Sequence, residues 1–395
     1  LKLLAKLFSG IIAGIVVGTI YFYTADGTAF HSFMEVVTRL FITMQDILGS
    51  FIFFLIPLII FFFIADGVSS IGTGAGKVVG ATLGVAYIST VIAGLLAYTV
   101  ARFLMPIVTK GGSVPEEGSE LTGLLEFDIP PPLDILTALV LAFSVGIVIN
   151  IIKAETMKKW VHDGKEIVEF LIEKVIITIL PFYIAGVFAG MSSAGTVFKT
   201  LSVFGIVLLI AITLHWVWIT IQYTVSGSML GKNPFSMIKT MFPAYVTALG
   251  TMSSAATISV TLPKTKELGV REKIADFVVP LGANIHLSGS AITITSCSVA
   301  VMTVLPEYDT PGLLKMLGFV LLIGIVMVAA PGVPGGAVMA ASGILVSHLG
   351  FNDAAVALMI ALYMAQDSFG TAANITGDGA IAGIIDAYEQ KLDKN

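Results

Sequence analysis

The run Gln366-Asp367-Ser368-Phe369-Gly370-Thr371-Ala372-Ala373-Asn374-Ile375-Thr376-Gly377-Asp378 lies inside a long apolar stretch. Asp367, Gly370/Thr371, Asn374 and Asp378 follow one another at i, i+3/i+4, i+7 and i+11, which on a helix is one face. Two carboxylates on one stripe of a membrane helix cost about 2.5–3.5 kcal/mol each on insertion scales. They need a cation, a proton or a donor network. The chemistry that suits them is binding a cation and the ammonium group of a substrate. The plainer account puts Asp378 in water at the helix end and pairs Asp367 with a polar neighbour.

A second polar cluster is Gly282-Ala283-Asn284-Ile285-His286-Leu287-Ser288-Gly289-Ser290. Glycines and polar residues this dense in mid-span point to unwinding that frees carbonyl oxygens, and oxygen ligands suit a hard cation such as sodium. His286 taken alone reads as a neutral core histidine; beside the carboxylate stripe it also suits ion or proton coupling. Ser253-Ser254 supplies hydroxyls and, where a half-helix begins, backbone N–H groups that favour a carboxylate; the same pair would serve as a helix cap. Pro331-Gly332-Val333-Pro334-Gly335-Gly336 is a rigid loop with apolar arms on both sides. Ser89-Thr90 reads mainly as packing, with a further oxygen site as the alternative. His215, Trp216 and Trp218 read as an interfacial aromatic group, and Asp134, after Pro130-Pro131-Pro132, as structural.

The elements that must position these residues follow from composition. The 395 residues are 56% hydrophobic and 12% charged, against roughly 25% charged in soluble domains, so lipid must face much of the chain. No basic tract suggests nucleic acid, and the single cysteine, Cys297, rules out a disulfide framework or a cysteine metal site. The chain opens on Leu1, and the stretch Leu7 to Tyr23 has no small-residue cleavage site, so it reads as a retained membrane helix. Apolar runs at 4–24, 31–65, 75–107, 121–152, 164–194, 198–226, 274–304 and 353–388 predict eight spanning helices. The long second run should tilt or kink, with Pro57 as the natural place. Segments 234–263 and 311–349 are apolar arms broken by Gly250-Thr251-Met252-Ser253-Ser254 and by Pro331–Gly336. Arms this short predict two re-entrant hairpins with tips at membrane depth.

Charge supports that topology. Lys153, Lys158, Lys159, Lys165, Lys232, Lys264, Lys266, Arg271, Lys273 and Lys394 fall on the cytoplasmic side, and Glu116, Glu117, Glu120, Glu307 and Asp309 on the other, with few basic residues there apart from Lys110, Lys199 and Lys315. Both termini then lie in the cytoplasm.

Six spans, a serine-bearing hairpin, a broken seventh helix, a Pro/Gly hairpin and a polar eighth helix resemble the dicarboxylate/amino acid:cation symporter family, which includes the glutamate transporters. The most specific pieces are Gly282-Ala283-Asn284-Ile285 with Ser288-Gly289, Val333-Pro334-Gly335, and Asp367 through Thr371 and Asn374 to Asp378. The resemblance covers essentially the whole chain. It implies an all-α, homotrimeric elevator-type transporter in the inner membrane. Residues 1–73 (helices 1–2) and 111–196 (helices 4–5) would form a fixed scaffold. Residues 74–110 (helix 3) and 197–395 (helices 6–8 with both hairpins) would form a moving domain gated by the second hairpin. It further implies that Asp367 holds a substrate ammonium, that Asn374 and the amides near Ser253 and Ser254 hold its carboxylate, and that Met252, Ser290, Val333, Pro334, Gly335, Gly370 and Thr371 belong to the pocket. Asp378, with carbonyls near Gly282 and from Asn374, matches one sodium site. Backbone carbonyls at Asn284 and around Met327, Val328 and Ala330 match a second.

Departures from the family pattern set expectations for substrate and coupling. Acidic-substrate members carry an arginine at the position of Gly370 or Met252, and this chain has neither. A second substrate carboxylate would be buried without a bidentate partner, so the resemblance narrows to small neutral substrates of the serine/threonine sodium symporter branch. Acidic-substrate members also carry an aspartate at Ser288 and an asparagine at His286. Without them a third ion site, at Ser89, Thr90 and Ser288, should be weak or absent, leaving one or two sodium ions; protons at His286 are the alternative. Other readings are an exchange-mode carrier, an acidic amino acid or dicarboxylate symporter, a passive channel, or an intramembrane aspartyl protease. The protease needs facing aspartates, whereas Asp367 and Asp378 are about 16 Å apart by axial rise.

Overall fold

This computed structural model describes residues 2–70, 77–109, 121–125, 127, 129–305, 307–309, 312–330 and 332–392. Lys110, Glu116, Glu117, Glu120, Pro331 and Lys394 lie outside the described residues, as do the expected domain boundaries at 73–74 and 110–111. All regular elements among the described residues are helices: α1 (Lys2–Tyr23), α2 (Ala29–Ser70), α3 (Lys77–Thr109), α4 (Ile135–Ile152), α5 (Glu155–Leu171), α6 (Ile177–Ser193) and α7 (Val197–Leu230). There follow α8 (Pro234–Thr251), α9 (Ser254–Glu267), α10 (Glu272–Ile285), α11 (Ser288–Val304), α12 (Leu313–Ala329), α13 (Gly336–Ile344) and α14 (Asp353–Leu392). A π turn at Ile172–Ile176 joins α5 to α6, so one helical path runs Glu155–Ser193. Seven paths among the described residues are long and apolar enough to cross a membrane.

The expected fourth span, 121–152, is corrected. Its helix starts at Ile135, and the described residues before it are not helical. Pro130-Pro131-Pro132 explains this, because proline lacks the amide donor and bars helix from the residue before it. The non-helical segment lies across α2: Arg39 Nε donates to the Thr122 carbonyl (3.0 Å), Leu124 N–H to Thr43 Oγ1 (2.7 Å), and Ser50 Oγ to the Phe127 carbonyl (2.8 Å). Asp134 then caps α4 through Thr137 N–H (3.2 Å).

Two packing styles divide the molecule. In α1, Gly10, Gly14 and Gly18 repeat every four residues against α6. A Cβ at Gly14 would lie 2.2 Å from the Ala185 carbonyl oxygen, so only glycine permits this approach. The outer face of α1 exposes Phe8, Ile12, Val16 and Ile20. Around α11 the style is polar. Every residue from Ser288 to Met302 is buried, with α3, α7 and α14 packed about it.

Both broken segments are helical hairpins. Asn233 caps α8, accepting from Phe235 and Ser236 N–H at 2.9 and 3.2 Å, and Pro234 takes the first turn, where no donor is needed. The turn passes through Met252, whose left-handed φ of 54° ends α8, and Ser253, whose hydroxyl caps α9 by accepting from Ala256 N–H at 3.3 Å. The second hairpin runs from α12 through Gly332–Gly335 into α13 and a π turn at Leu345–Leu349. The chain between α10 and α11 breaks at His286 and Leu287.

Candidate substrate and ion site

Helix α14 carries Asp367, Thr371, Asn374 and Asp378 on one buried face, against the start of α11 and the two hairpin tips. Asn374 is fixed from both ends of its amide. Its Oδ1 accepts from Gly289 N–H (2.7 Å) and Ser290 N–H (3.2 Å), free donors at the N-terminus of α11, and its Nδ2 donates to Ser290 Oγ (3.0 Å). One amide hydrogen of Asn374 remains for a ligand. Asp367 accepts Gly335 N–H from the second hairpin at 2.7 Å and the Thr371 hydroxyl at 3.4 Å. Gly335 has φ +74°, and a Cβ there would meet Met364 Sδ at 2.7 Å, so the tip needs glycine to reach this carboxylate.

The cavity between these groups is ≈ 10 Å³, room for about one water. Asp367, Thr371, Asn374 and Ser290 line it from α14 and α11, Met252 and Ser254 from the first hairpin, and Gly332, Val333 and Ala337 from the second, with Leu287 and Tyr363 beside them. The two tips also touch each other, Ser253 Oγ donating to the Gly332 carbonyl at 2.9 Å. A larger cavity of ≈ 280 Å³, lined by Asp46, Tyr183 and Asp353 among others, lies apart from the carboxylate stripe. The smaller one is the better candidate, because polar groups from α11, α14 and the first hairpin converge on it.

Four expected pocket residues, Gly370, Ser253, Pro334 and Gly335, adjoin the cavity without lining it. Gly370 faces the backbone of α11: its Cβ would lie 3.3 Å from Thr293 Oγ1 and 3.5 Å from Ser290 N. Ser253 is engaged as cap and tip contact, and Pro334 and Gly335 are not cavity-lining.

The other end of the stripe is a separate network. Asp378 and His286 are both 0% exposed, and His286 Nδ1 lies 2.9 Å from Asp378 Oδ1. The far ring nitrogen, Nε2, lies 2.9 Å from Ser89 Oγ and 3.1 Å from Gln222 Nε2, which also donates to Ser89 at 3.0 Å. An amide nitrogen can only donate, so with Gln222 in this orientation Nε2 accepts and the ring proton sits on Nδ1, toward Asp378. The imidazole is then neutral, and the Asp378 charge is not cancelled by it. Asp378 Oδ2 is buried and has no hydrogen-bond partner among the described residues. A cation fits that oxygen. Gly282 cradles Asp378, since a Cβ there would fall 2.9 Å from Oδ1, though the Gly282 carbonyl already accepts His286 N–H at 2.8 Å.

For the second ion position, Met327 and Val328 lie in the last turn of α12 and Ala330 follows it in extended conformation. The carbonyls of such a final turn lack intrahelical donors. Asn284 is exposed, its side chain donating to the Pro280 carbonyl at 3.0 Å, so only its backbone oxygen suits an ion. Of the third set, Ser89 is bonded to His286 and Thr90 to the Ala86 carbonyl at 2.9 Å, while Ser288 Oγ is buried without a partner among the described residues.

Comparison with known proteins fits this architecture. The profile of the sodium:dicarboxylate symporter family matches residues 3–388. The chain belongs to that family. The serine/threonine transporter SstT of Streptococcus thermophilus (strain CNRZ 1066) is 26% identical over 321 residues, 75% of this chain and 77% of that protein. SstT of Lacticaseibacillus casei (strain BL23) is 26% identical over 401 residues, covering 95% and 87% of the two chains. Excitatory amino acid transporter 1 of Ambystoma tigrinum is 28% identical over 290 residues, covering 69% and 52%. This symporter is therefore a multi-pass membrane transporter coupled to sodium, for amino acids or dicarboxylates, and not an enzyme.

Three features of the symporter escaped the sequence reading, and a fourth, the place of Tyr363 in the pocket, is fixed only by the structure. His215 is not interfacial: it is buried, with Nε2 3.0 Å from the Gly289 carbonyl and 3.1 Å from Thr293 Oγ1. Trp218 is buried too, and Trp216 packs on Tyr245. Gln222 was passed over, although His215, Gln222 and Ser226 repeat the i, i+7, i+11 spacing of the carboxylate stripe. Tyr363 joins the pocket through Ser290. Arg271 reaches the buried Asp386 (2.5 Å) and Glu389 (3.1 Å), tying the start of α10 to the end of α14.

Proposed function

We propose that this symporter imports a small neutral amino acid of the serine, threonine or alanine type, driven by one or two sodium ions. The observation that carries the reading is the cavity wall. It holds one carboxylate, hydroxyls, an amide and apolar groups, and none of its lining residues is Lys or Arg. Asp367 takes the substrate ammonium, and the spare amide hydrogen of Asn374 with the N-terminal amides of α9 takes its carboxylate. A second substrate carboxylate would have no cationic partner, and leaving a buried charge unpaired costs about 3–5 kcal/mol.

Sodium is favoured over protons by Asp378, which keeps a bare buried oxygen while a neutral His286 ring is bonded at both nitrogens. Asp378 with the oxygens of Asn374 and Gly282 forms one ion position, and the end of α12 with the Asn284 carbonyl a second. The engagement of Ser89 and Thr90 speaks against a third. Movement is by elevator: residues 74–110 and 197–395 carry the pocket past a scaffold of 1–73 and 111–196 within a homotrimer. In this reading the membrane is a bacterial inner membrane, crossed eight times with two re-entrant hairpins and both termini in the cytoplasm.

The test is uptake of labelled serine into proteoliposomes, with and without an inward sodium gradient, competed by threonine, alanine and aspartate. Sodium-dependent uptake that aspartate fails to block is expected. Strong competition by aspartate would overturn the neutral-substrate reading, and uptake that follows a pH gradient without sodium would overturn the coupling.

A further inference from the structure

Tyr363 stands one turn before Asp367 on α14, is 1% exposed, and lines the candidate cavity with Ser290 and Asp367. Its hydroxyl donates to Ser290 Oγ at 3.0 Å. The same Ser290 oxygen receives Asn374 Nδ2 at 3.0 Å. A phenol has one proton and two lone pairs. The Asp367 carboxylate is a second acceptor within reach of the same proton. With that proton held by Ser290 or Asp367, the oxygen of Tyr363 offers the cavity lone pairs only. It faces a ligand as a neutral acceptor, beside the charged acceptor Asp367.

The ammonium and carboxylate of any amino acid are met by Asp367 and Asn374, so neither distinguishes one amino acid from another. The remaining wall is Met252, Leu287, Val333 and Ala337, which are apolar, with Gly332, the hydroxyls of Ser254 and Thr371, and the phenol; the Thr371 hydroxyl already turns to Asp367. A buried acceptor fixed in that wall rewards a side chain that brings a donor of its own. We propose that Tyr363 is the specificity-determining residue of this pocket, selecting a small side chain with a hydroxyl over one of equal size that ends in a methyl group. The inference rests on the neutral amino acid reading above and narrows it to hydroxylated substrates. Ser290 acts as a positioning residue, accepting from both Tyr363 and Asn374; without it the phenol proton still has Asp367 to donate to, so Tyr363 remains an acceptor.

Serine and 2-aminobutyrate separate the two ideas, since the second replaces the hydroxyl by a methyl group of similar size. Uptake of each into proteoliposomes, under a saturating sodium gradient, is compared for the wild-type chain, Tyr363→Phe and Ser290→Ala. The wild type should show a KM about tenfold lower for serine, the scale of one hydrogen bond in a dry site. Tyr363→Phe should bring the two KM values within about twofold of each other by raising that for serine, with kcat for either substrate nearly unchanged. Ser290→Ala keeps the phenol oxygen but loosens Asn374, so both KM values should rise together and the ratio should persist.

An unchanged ratio in Tyr363→Phe, or a ratio that collapses equally in Ser290→Ala, would overturn the assignment. Equal KM values for serine and 2-aminobutyrate in the wild type would overturn it while leaving the neutral amino acid reading intact, and this arm needs no variant to fold. Uptake of aspartate with no uptake of either neutral substrate would overturn both.

Discussion

Asp367 and Asp378 lie on one face of one helix, both buried, yet their surroundings are built to opposite plans. The partners of Asp367 are hydroxyls one turn away on either side, Tyr363 and Thr371, and the backbone N–H of Gly335, which belongs to a hairpin tip. The partner of Asp378 is an imidazole held on its far side by Ser89 of α3 and Gln222 of α7, two helices packed against the core. Asp367 therefore has a replaceable donor, while Asp378 has a fixed one and a spare oxygen. A carboxylate whose donor can leave suits cargo that carries its own N–H groups. A carboxylate half-satisfied by a rigid ring suits a bare cation, which needs oxygen and charge but no hydrogen bond.

Substitutions that break this contrast should rank accordingly. Asp367→Asn should have the largest effect, lowering substrate uptake at least ~100-fold by removing the charge opposite a buried ammonium, worth about 3–5 kcal/mol; proteoliposome uptake at saturating sodium reads this directly. Asp378→Asn should act on the ion instead, raising the half-saturating sodium concentration by about 10–100-fold. The sodium titration is decisive: a loss of uptake with unchanged sodium dependence would erase the distinction between the two sites. Gly335→Ala places a Cβ in a left-handed conformation that costs about 1–2 kcal/mol, against Met364 as well. It should raise the substrate KM about tenfold with little change in sodium dependence. Gln222→Leu removes a donor to His286 and should shift the sodium titration only about threefold, the scale of one net hydrogen bond, without altering competition between serine and aspartate.

The stripe on α14, the break in the seventh span and both hairpins could be read from sequence because their signals are local. Polar and small residues interrupt apolar runs at helical spacing, and lipid permits such interruptions only where protein covers them. The network around His286 could not be read in this way. Gln222 and Ser89 lie far from His286 in the chain, and their meeting depends on how α3 and α7 rotate about their own axes. A trace did exist in glycine: Gly377 would clash with Gln222 Oε1 (2.8 Å) and Gly383 with Ser226 Oγ (2.2 Å) if either bore a Cβ. Glycines at intervals along α14 thus mark where α7 presses its polar face, but only a known partner helix turns that pattern into contacts. Gly370 shows the same limit: its spacing puts it on the carboxylate face, and only the approach of α11 shows that it packs near Ser290 and Thr293. The triple proline was legible, and its consequence for the start of α4 follows from elementary sterics.

The bond between Gly335 N–H and Asp367 has a consequence for the cycle as a whole. On the proposed elevator reading, with the second hairpin as gate, the tip supplies to the carboxylate the same kind of donor that an arriving ammonium would bring, so an unloaded carrier could shut without leaving a bare buried charge behind its gate. Shutting while empty is what allows a return stroke without cargo. A pump that makes that stroke can accumulate its solute against a gradient; one whose gate shut only around a passenger could do no more than trade molecules one for one.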